Sequence, residues 1–189
     1  HKIPECISWE EAALAEPLGC TLNALELTPV KMGDVCVVIG AGPIGCMLIE
    51  VMKKMGASKT ILVQRSRARL ELAMTTVNAD VFICSNEENA VERVLEETNG
   101  LGADVIFTAN SNPAAQQEAI LMAKNRAKIN FFGGLPKDKA NVEIDTNIIH
   151  YKELFITGAH GSMPIHHLKA IDLIASKTID VKPFISESF

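Results

Sequence analysis

The chain is short of basic charge: 18 lysines and arginines stand against 23 acids, for a net charge of -5. That argues against general nucleic-acid binding, which needs a basic face. No apolar run approaches the roughly 20 residues required to cross a bilayer, and the start shows no signal-peptide pattern. None of the five cysteines (Cys6, Cys20, Cys36, Cys46, Cys84) forms a C-x-x-C, and their number is odd. Neither a disulfide framework nor a self-contained zinc knuckle is expected, and a reduced cytoplasm fits. His150, His160, His166 and His167 offer no H-x-x-x-H or H-E-x-x-H spacing. They read as surface or interface histidines, the adjacent His166 and His167 pointing away from each other. Internal repeats and low-complexity tracts are absent too. The chain opens at His1 without a methionine and stops at Phe189, which suggests a piece of something longer.

What is present is ordinary for a globular α/β protein: 189 residues, 48% hydrophobic and 22% charged, enough for one large domain with a full core. Its most informative stretch begins at Val35. Val35 to Ile39 is a short, mostly β-branched apolar run, as expected of a strand buried on both faces. It leads into Gly40-Ala41-Gly42-Pro43-Ile44-Gly45, a G-x-G-x-x-G. Ile44, Met47, Leu48, Val51, Met52 and Met55 then recur at helical spacing until Gly56. In such a strand–turn–helix Gly40 makes the tight turn, Gly42 admits a pyrophosphate to the backbone, and Gly45 lets helix pack on strand. The helix N-terminus, with Pro43 and Ile44, offers its amides to that anion.

Around this unit strands and helices alternate. Ser8 opens a capping box for a short helix, Glu16-Pro17 interrupts, and a second helical piece covers Leu18 to Leu27. Further strands are expected at Thr60–Gln64, Val81–Cys84, Asp104–Thr108, Ala127–Phe132 and Leu154–Thr157. Helices are expected after Ser66, from Glu87 to Glu97, from Pro113 to about Lys124, and from Pro164 to Ser176. A short extended piece is expected at Asn141–Ile144. The pattern predicts an α/β Rossmann fold, a doubly wound six-stranded parallel sheet in the order 3-2-1-4-5-6 with helices on both faces. Residues 1–33 form a lead-in helical segment and 34–189 the dinucleotide-binding domain.

The end of the second strand selects the dinucleotide. An acid there hydrogen-bonds the 2′-hydroxyl of NAD, whereas arginines accommodate the 2′-phosphate of NADP. Here Gln64-Arg65-Ser66-Arg67-Ala68-Arg69 occupies that place, and no acid occurs between Glu50 and Glu71. Arg65 and Arg69, four apart, can share one face, while Arg67 points elsewhere. Ser66 caps the helix and adds a hydroxyl. Charge-assisted hydrogen bonds contribute about 1.5–3 kcal/mol each, so one or two favour NADP by tenfold to a hundredfold or more. NADP is the first choice and NAD the second.

Ala12-Ala13-Leu14-Ala15-Glu16-Pro17-Leu18-Gly19-Cys20, followed by Gly33-Asp34-Val35 and the glycine turn, resembles the zinc-dependent medium-chain dehydrogenases, most closely the sorbitol (polyol) and L-threonine branch. Arg69-Leu70 with Ala79-Asp80, Gly100-Leu101-Gly102-Ala103-Asp104 and Phe132-Gly133-Gly134 extend the resemblance over essentially the whole chain. It implies that Glu16 lies at a catalytic zinc, as a ligand or through its bound water, a normal role for a carboxylate. Cys20 falls off the ligand position. The resemblance also implies that Ala109, Asn110, Gly133, Gly134, Gly158 and Ala159 line the nicotinamide end, and that strand six pairs across a homo-oligomer. The substrate implied is a small alcohol or polyol. Zinc would polarise its oxygen while hydride passes to the nicotinamide. The family's N-terminal catalytic lobe, with the other zinc ligands, is absent from the sequence, as is its usual acid after strand two. The chain alone is therefore expected to bind cofactor without turning over substrate.

Two other readings differ in testable ways. A zinc-free medium-chain reductase has no need of Glu16, and a non-catalytic nucleotide or S-adenosylmethionine binder would show a different ligand preference. A short-chain dehydrogenase needs Tyr-x-x-x-Lys, but Tyr151, the sole tyrosine, is followed at that spacing by Phe155.

Overall fold

Central strands that are apolar on both faces are buried by helices on both sides, and the chain adopts that arrangement. The structure, a computed structural model, describes residues 2–185. His1, and the expected end of the domain at 186–189, lie outside the described residues. Strands β1 (Val35–Ile39), β2 (Lys59–Gln64), β3 (Val81–Cys84), β4 (Ala103–Thr108), β5 (Ala123–Phe131) and β6 (Phe155–Gly158) form one parallel sheet in the order β3-β2-β1-β4-β5-β6. This is the doubly wound order expected from the sequence.

Alternation along each strand divides the core in two. Cys36, Val38, Leu62, Val105 and Phe107 face one side, where α2 (Ala15–Leu27), α3 (Pro43–Lys54) and α8 (Pro164–Ala175) cover them. Val37, Ile39, Ile61, Val63, Ile83, Ile106 and Ile129 face the other, under α5 (Ala90–Glu97) and α6 (Pro113–Met122). Side chains buried this fully contribute about 1.5–3 kcal/mol each. Among its described residues the lead-in segment adds α1 (Trp9–Ala13) and α2 but no strand. However, Leu18, Ala24 and Leu25 of α2 are buried in the same core as α3. Thr28, which caps α2, is tied to the sheet through Asn130 Nδ2 at 2.8 Å and Thr157 Oγ1 at 2.8 Å.

Several local expectations are corrected. Glu16-Pro17 does not interrupt α2, because Pro17 falls in its first turn, where the missing N–H has no intrahelical role. Helix α5 starts at Ala90, because Asn89 caps it by accepting from Val91 and Glu92 N–H at 3.0 and 3.3 Å. Glu87 therefore sits in the β3–α5 turn. Helix α6 ends at Met122 and passes straight into β5, four residues earlier than expected for the strand. Asn141–Ile144 joins no strand of the sheet. It leads instead to an unforeseen helix, α7 (Thr146–Lys152), capped by Asp145 and closed by Glu153 in a left-handed conformation. Strand β6 begins one residue late. His166 is not at the surface but fully buried: its Nδ1 accepts from Met163 N–H at 3.0 Å and its Nε2 lies 3.3 Å from Glu26 Oε2.

Candidate cofactor site

The turn after β1 is held by contacts too close for side chains. Gly40 has φ of +124°, and a Cβ there would stand 2.6 Å from Ala109 O. One on Gly45 would stand 1.8 Å from Gly40 O, so α3 approaches β1 only because Gly45 has no side chain. Gly42 is different. Its backbone is extended, and a Cβ would meet nothing within 4 Å. It is the helix N-cap and makes no side-chain cap bond, leaving the first amides of α3 without such a partner. Pro43 supplies no N–H, so Ile44 and Gly45 supply the nearest ones. Ile44 also packs its side chain against the core.

The β4–α6 loop is fastened beside this turn. Ala109 N–H and Asn110 Nδ2 both donate to Ile39 O, at 2.9 and 3.0 Å, and Asn110 Oδ1 accepts from Asn112 N–H at 2.9 Å. Asn110 thus spends its side chain on the backbone. Gly133 has a similar structural duty, since a Cβ there would stand 2.0 Å from Asn110 O. Gly134 and Gly158 are exposed, with open space or only ordinary contact around them, and Ala159 packs against the core.

Across from this loop, β2 ends at Gln64 and α4 (Arg67–Thr76) begins. The two together wall a cleft of about 490 Å³ lined by Gln64, Arg65, Ser66, Arg69, Asn110, Ser111 and Asn112. Gln64 Oε1 accepts from Arg65 N–H at 2.8 Å, so its carbonyl end is spent on the main chain. Arg65 precedes the helix rather than lying on it, yet both it and Arg69 reach the cleft. Among the described residues neither has a carboxylate partner within 4.0 Å. Ser66 occupies the N-cap position but its hydroxyl makes no cap bond, contrary to expectation, which leaves that oxygen for a ligand. Arg67 turns away, as expected, to Glu87. Sequence reasoning missed Ser111 and Asn112; Asn112-Pro113 signalled a helix start, not a cleft wall.

Residues 43–176 match the family model for zinc-binding dehydrogenases. The chain belongs to the zinc-binding dehydrogenases. It is 31% identical over 189 residues to an L-threonine 3-dehydrogenase from Bacillus licheniformis and 30% identical over 187 residues to a sorbitol dehydrogenase from Bacillus subtilis. Those alignments take in 100% and 99% of this chain but 54% and 52% of the relatives, so it spans about half their length. Among solved structures, a candidate zinc-binding dehydrogenase from Sinorhizobium meliloti 1021, bound to NADP, superposes with a TM-score of 0.91 at 26% identity. That superposition covers 98% of this chain and 54% of the other. These two curated relatives belong to the polyol and threonine dehydrogenases that the Glu-Pro-Leu segment resembles.

At the far corner of the site, Glu16 is exposed in the first turn of α2 and accepts from Cys20 Sγ at 3.4 Å. Cys20 Sγ also lies 3.8 Å from Ser162 Oγ, itself 2.7 Å from His167 Nε2. Asn23 Nδ2 donates to Gly161 O at 2.9 Å, so α2 and the β6–α8 loop are joined side by side. Burial pushes the Cys20 thiol above its ordinary pKa, with neighbouring Glu16 adding to the rise against the opposing Ser162 hydrogen bond. Among the described residues no group of three or more His, Cys, Asp or Glu side chains is placed to hold a metal. A zinc centre needs three or four protein ligands, so these residues do not build one by themselves.

Proposed function

We propose that this chain binds NADP across the carboxyl end of β1, with the pyrophosphate at Gly42 and the amides of Ile44 and Gly45, and the 2′-phosphate between Arg65 and Arg69. One observation carries the reading: two guanidinium groups that have no carboxylate partner among the described residues face a cleft in which Gln64 replaces the acid that would bind a ribose 2′-hydroxyl. A relative's bound NADP does not decide the matter for this chain, and NAD is the second reading. Ala109, Gly134, Gly158 and Ala159 would flank the nicotinamide. Asn110 and Gly133 would serve by holding the walls in place.

The reaction served is the oxidation of a secondary alcohol or polyol. The carbon-bound hydrogen leaves with its electron pair for the nicotinamide, the hydroxyl proton is released, and a carbonyl remains. Glu16 is proposed as one oxygen ligand of a zinc site completed by residues outside this set. Residues 1–33 would then join that site to the dinucleotide-binding domain. The edge strand β6, with Phe155 exposed, is the proposed contact between copies in a homo-oligomer. A reducing cytoplasm suits five cysteines that are all free. Among the described residues no helix is long and apolar enough to cross a membrane.

Residues 1–189 alone are expected to bind NADPH and to oxidise no alcohol. Spectrophotometric assay of NADP⁺ reduction with zinc and a panel of polyols checks this; measurable turnover contradicts it. NADPH binding with no turnover is the expected result, and preferential binding of S-adenosylmethionine would point to a different class of protein.

A further inference from the structure

Three arginines fall within residues 65–69, but only two of them line the cleft. Arg67 is the first residue of α4 and directly follows Ser66, so it begins at the cleft's rim. Its side chain leaves the rim for the β3–α5 turn. There Nε donates to Glu87 Oε1 at 2.9 Å and Nη2 donates to Oε2, a two-pronged pair. Glu87 is itself fixed, its N–H donating to Cys84 O at 2.9 Å at the end of β3. The same turn anchors the β2 end: Ser85 N–H donates to Gln64 O at 3.0 Å and Cys84 Sγ to Arg65 O at 3.4 Å. The carboxylate that takes Arg67 is thus held next to the residues that line the cleft.

We infer that Glu87 is a specificity-determining residue: by holding Arg67 it withholds a third guanidinium from the cleft and so sets how strongly a 2′-phosphate is preferred over a 2′-hydroxyl. The inference rests on the placement of the NADP 2′-phosphate proposed above. The physical case is one of competition. Both partners are about half exposed, at 47% and 48%, so water and salt screen their attraction. A phosphate dianion with a neighbouring guanidinium makes a stronger, charge-assisted partner than a screened carboxylate. What keeps Arg67 on Glu87 is the fork geometry, with both prongs engaged on a fixed turn. Neutralising Glu87 removes that hold and frees Arg67 to turn toward the cleft, which acts toward tighter binding of the phosphorylated cofactor.

The structural part of the pair acts the other way. Arg67 and Glu87 tie the start of α4 to the β3–α5 turn, and losing that tie would loosen the rim. Glu87→Gln is therefore the informative variant, because it keeps the side chain's size and one hydrogen bond. Calorimetric titration of the full chain with NADPH and with NADH reads the outcome. E87Q is expected to raise the NADPH-over-NADH preference by about threefold to tenfold, with NADH affinity within about twofold of wild type. The salt dependence of NADPH binding should steepen as a further cation joins the phosphate. In the double variant E87Q/R67A the gain should vanish, and R67A alone should leave the preference within about twofold of wild type. A wild-type chain that does not distinguish the two cofactors overturns the 2′-phosphate placement itself. A wild type that does, with an E87Q preference unchanged or lowered, overturns the role of Glu87 and leaves that placement standing. A gain that survives in the double variant overturns the sequestration of Arg67.

Discussion

The two halves of the candidate cofactor site are built on different physics. The turn after β1 is specified by steric exclusion: Gly40, Gly45 and Gly133 each sit where a single added carbon would lie under 3 Å from backbone. The β2–α4 rim is specified by charge and exposure: Arg65 and Arg69 are exposed and, among the described residues, have no carboxylate partner, and the half-buried Ser66 makes no cap bond. Steric terms rise steeply and are paid in the fold itself, while exposed charges cost little until a ligand arrives. The contrast separates what makes the chain a dinucleotide binder from what would make it choose one dinucleotide.

Substitutions that cross this divide test it, starting with the largest effect. Gly45→Ala should destabilise the fold by about 3 kcal/mol or more, because the contact is with backbone that cannot rotate away. Thermal unfolding would show the loss, and an unchanged melting temperature would mean that the turn is not packed as described. Arg65→Ala with Arg69→Ala should leave the melting temperature nearly unchanged and weaken NADPH binding about tenfold to a hundredfold, with NADH affected far less. Equal weakening of both cofactors would erase the proposed division of labour. Gly42→Ala lies between the two halves. Open space at its Cβ predicts a normal fold, and the pyrophosphate's approach predicts about tenfold weaker binding of NADPH and NADH alike.

The smallest effect belongs to a carboxylate away from the cleft. Asp80 Oδ2 accepts from Thr60 N–H and Oγ1, both at 2.7 Å, and its Oδ1 lies 3.0 Å from Lys53 Nζ. Burial alone would raise its pKa, but the hydrogen bonds from Thr60 and Lys53 outweigh it and hold the carboxyl below its ordinary value. A depressed carboxyl stabilises the fold above its unfolded pKa of about 4 and loses that contribution as pH falls through the folded value. Wild type should therefore lose stability relative to Asp80→Asn below about pH 4, by a small amount because the group is partly exposed. Parallel losses in both proteins would show that Asp80 contributes nothing.

Much of the fold was legible because the signals were local and repeated. The strand–glycine–helix run and the apolar strands placed all six strands, five of them within one residue at each end, and the parallel order followed from their alternation with helices. Helix α7 was not legible. It is seven residues long, with Thr146, Ile148 and Ile149 β-branched, and only the cap at Asp145 marks it. His166 escaped for another reason: an imidazole reads as polar, and its burial comes from α8 packing against α2, which sets it beside Glu26, 140 residues away in sequence. In the candidate site, Gln64, Arg65 and Arg69 were visible from the spacing after the glycine turn. The far wall at Ser111 and Asn112 was not, since only the packing of β4 beside β1 brings it opposite. Family membership was legible from Glu16-Pro17-Leu18 and the glycine turn together. The rest of any metal site was not, because no partner ligands converge on Glu16 among the described residues.

The most direct test of the central claim is a calorimetric titration of the wild-type chain with NADPH and with NADH under the same low-salt conditions. NADPH should bind at least tenfold tighter, with the advantage shrinking as salt is added. Equal affinities, or tighter binding of NADH, would contradict it.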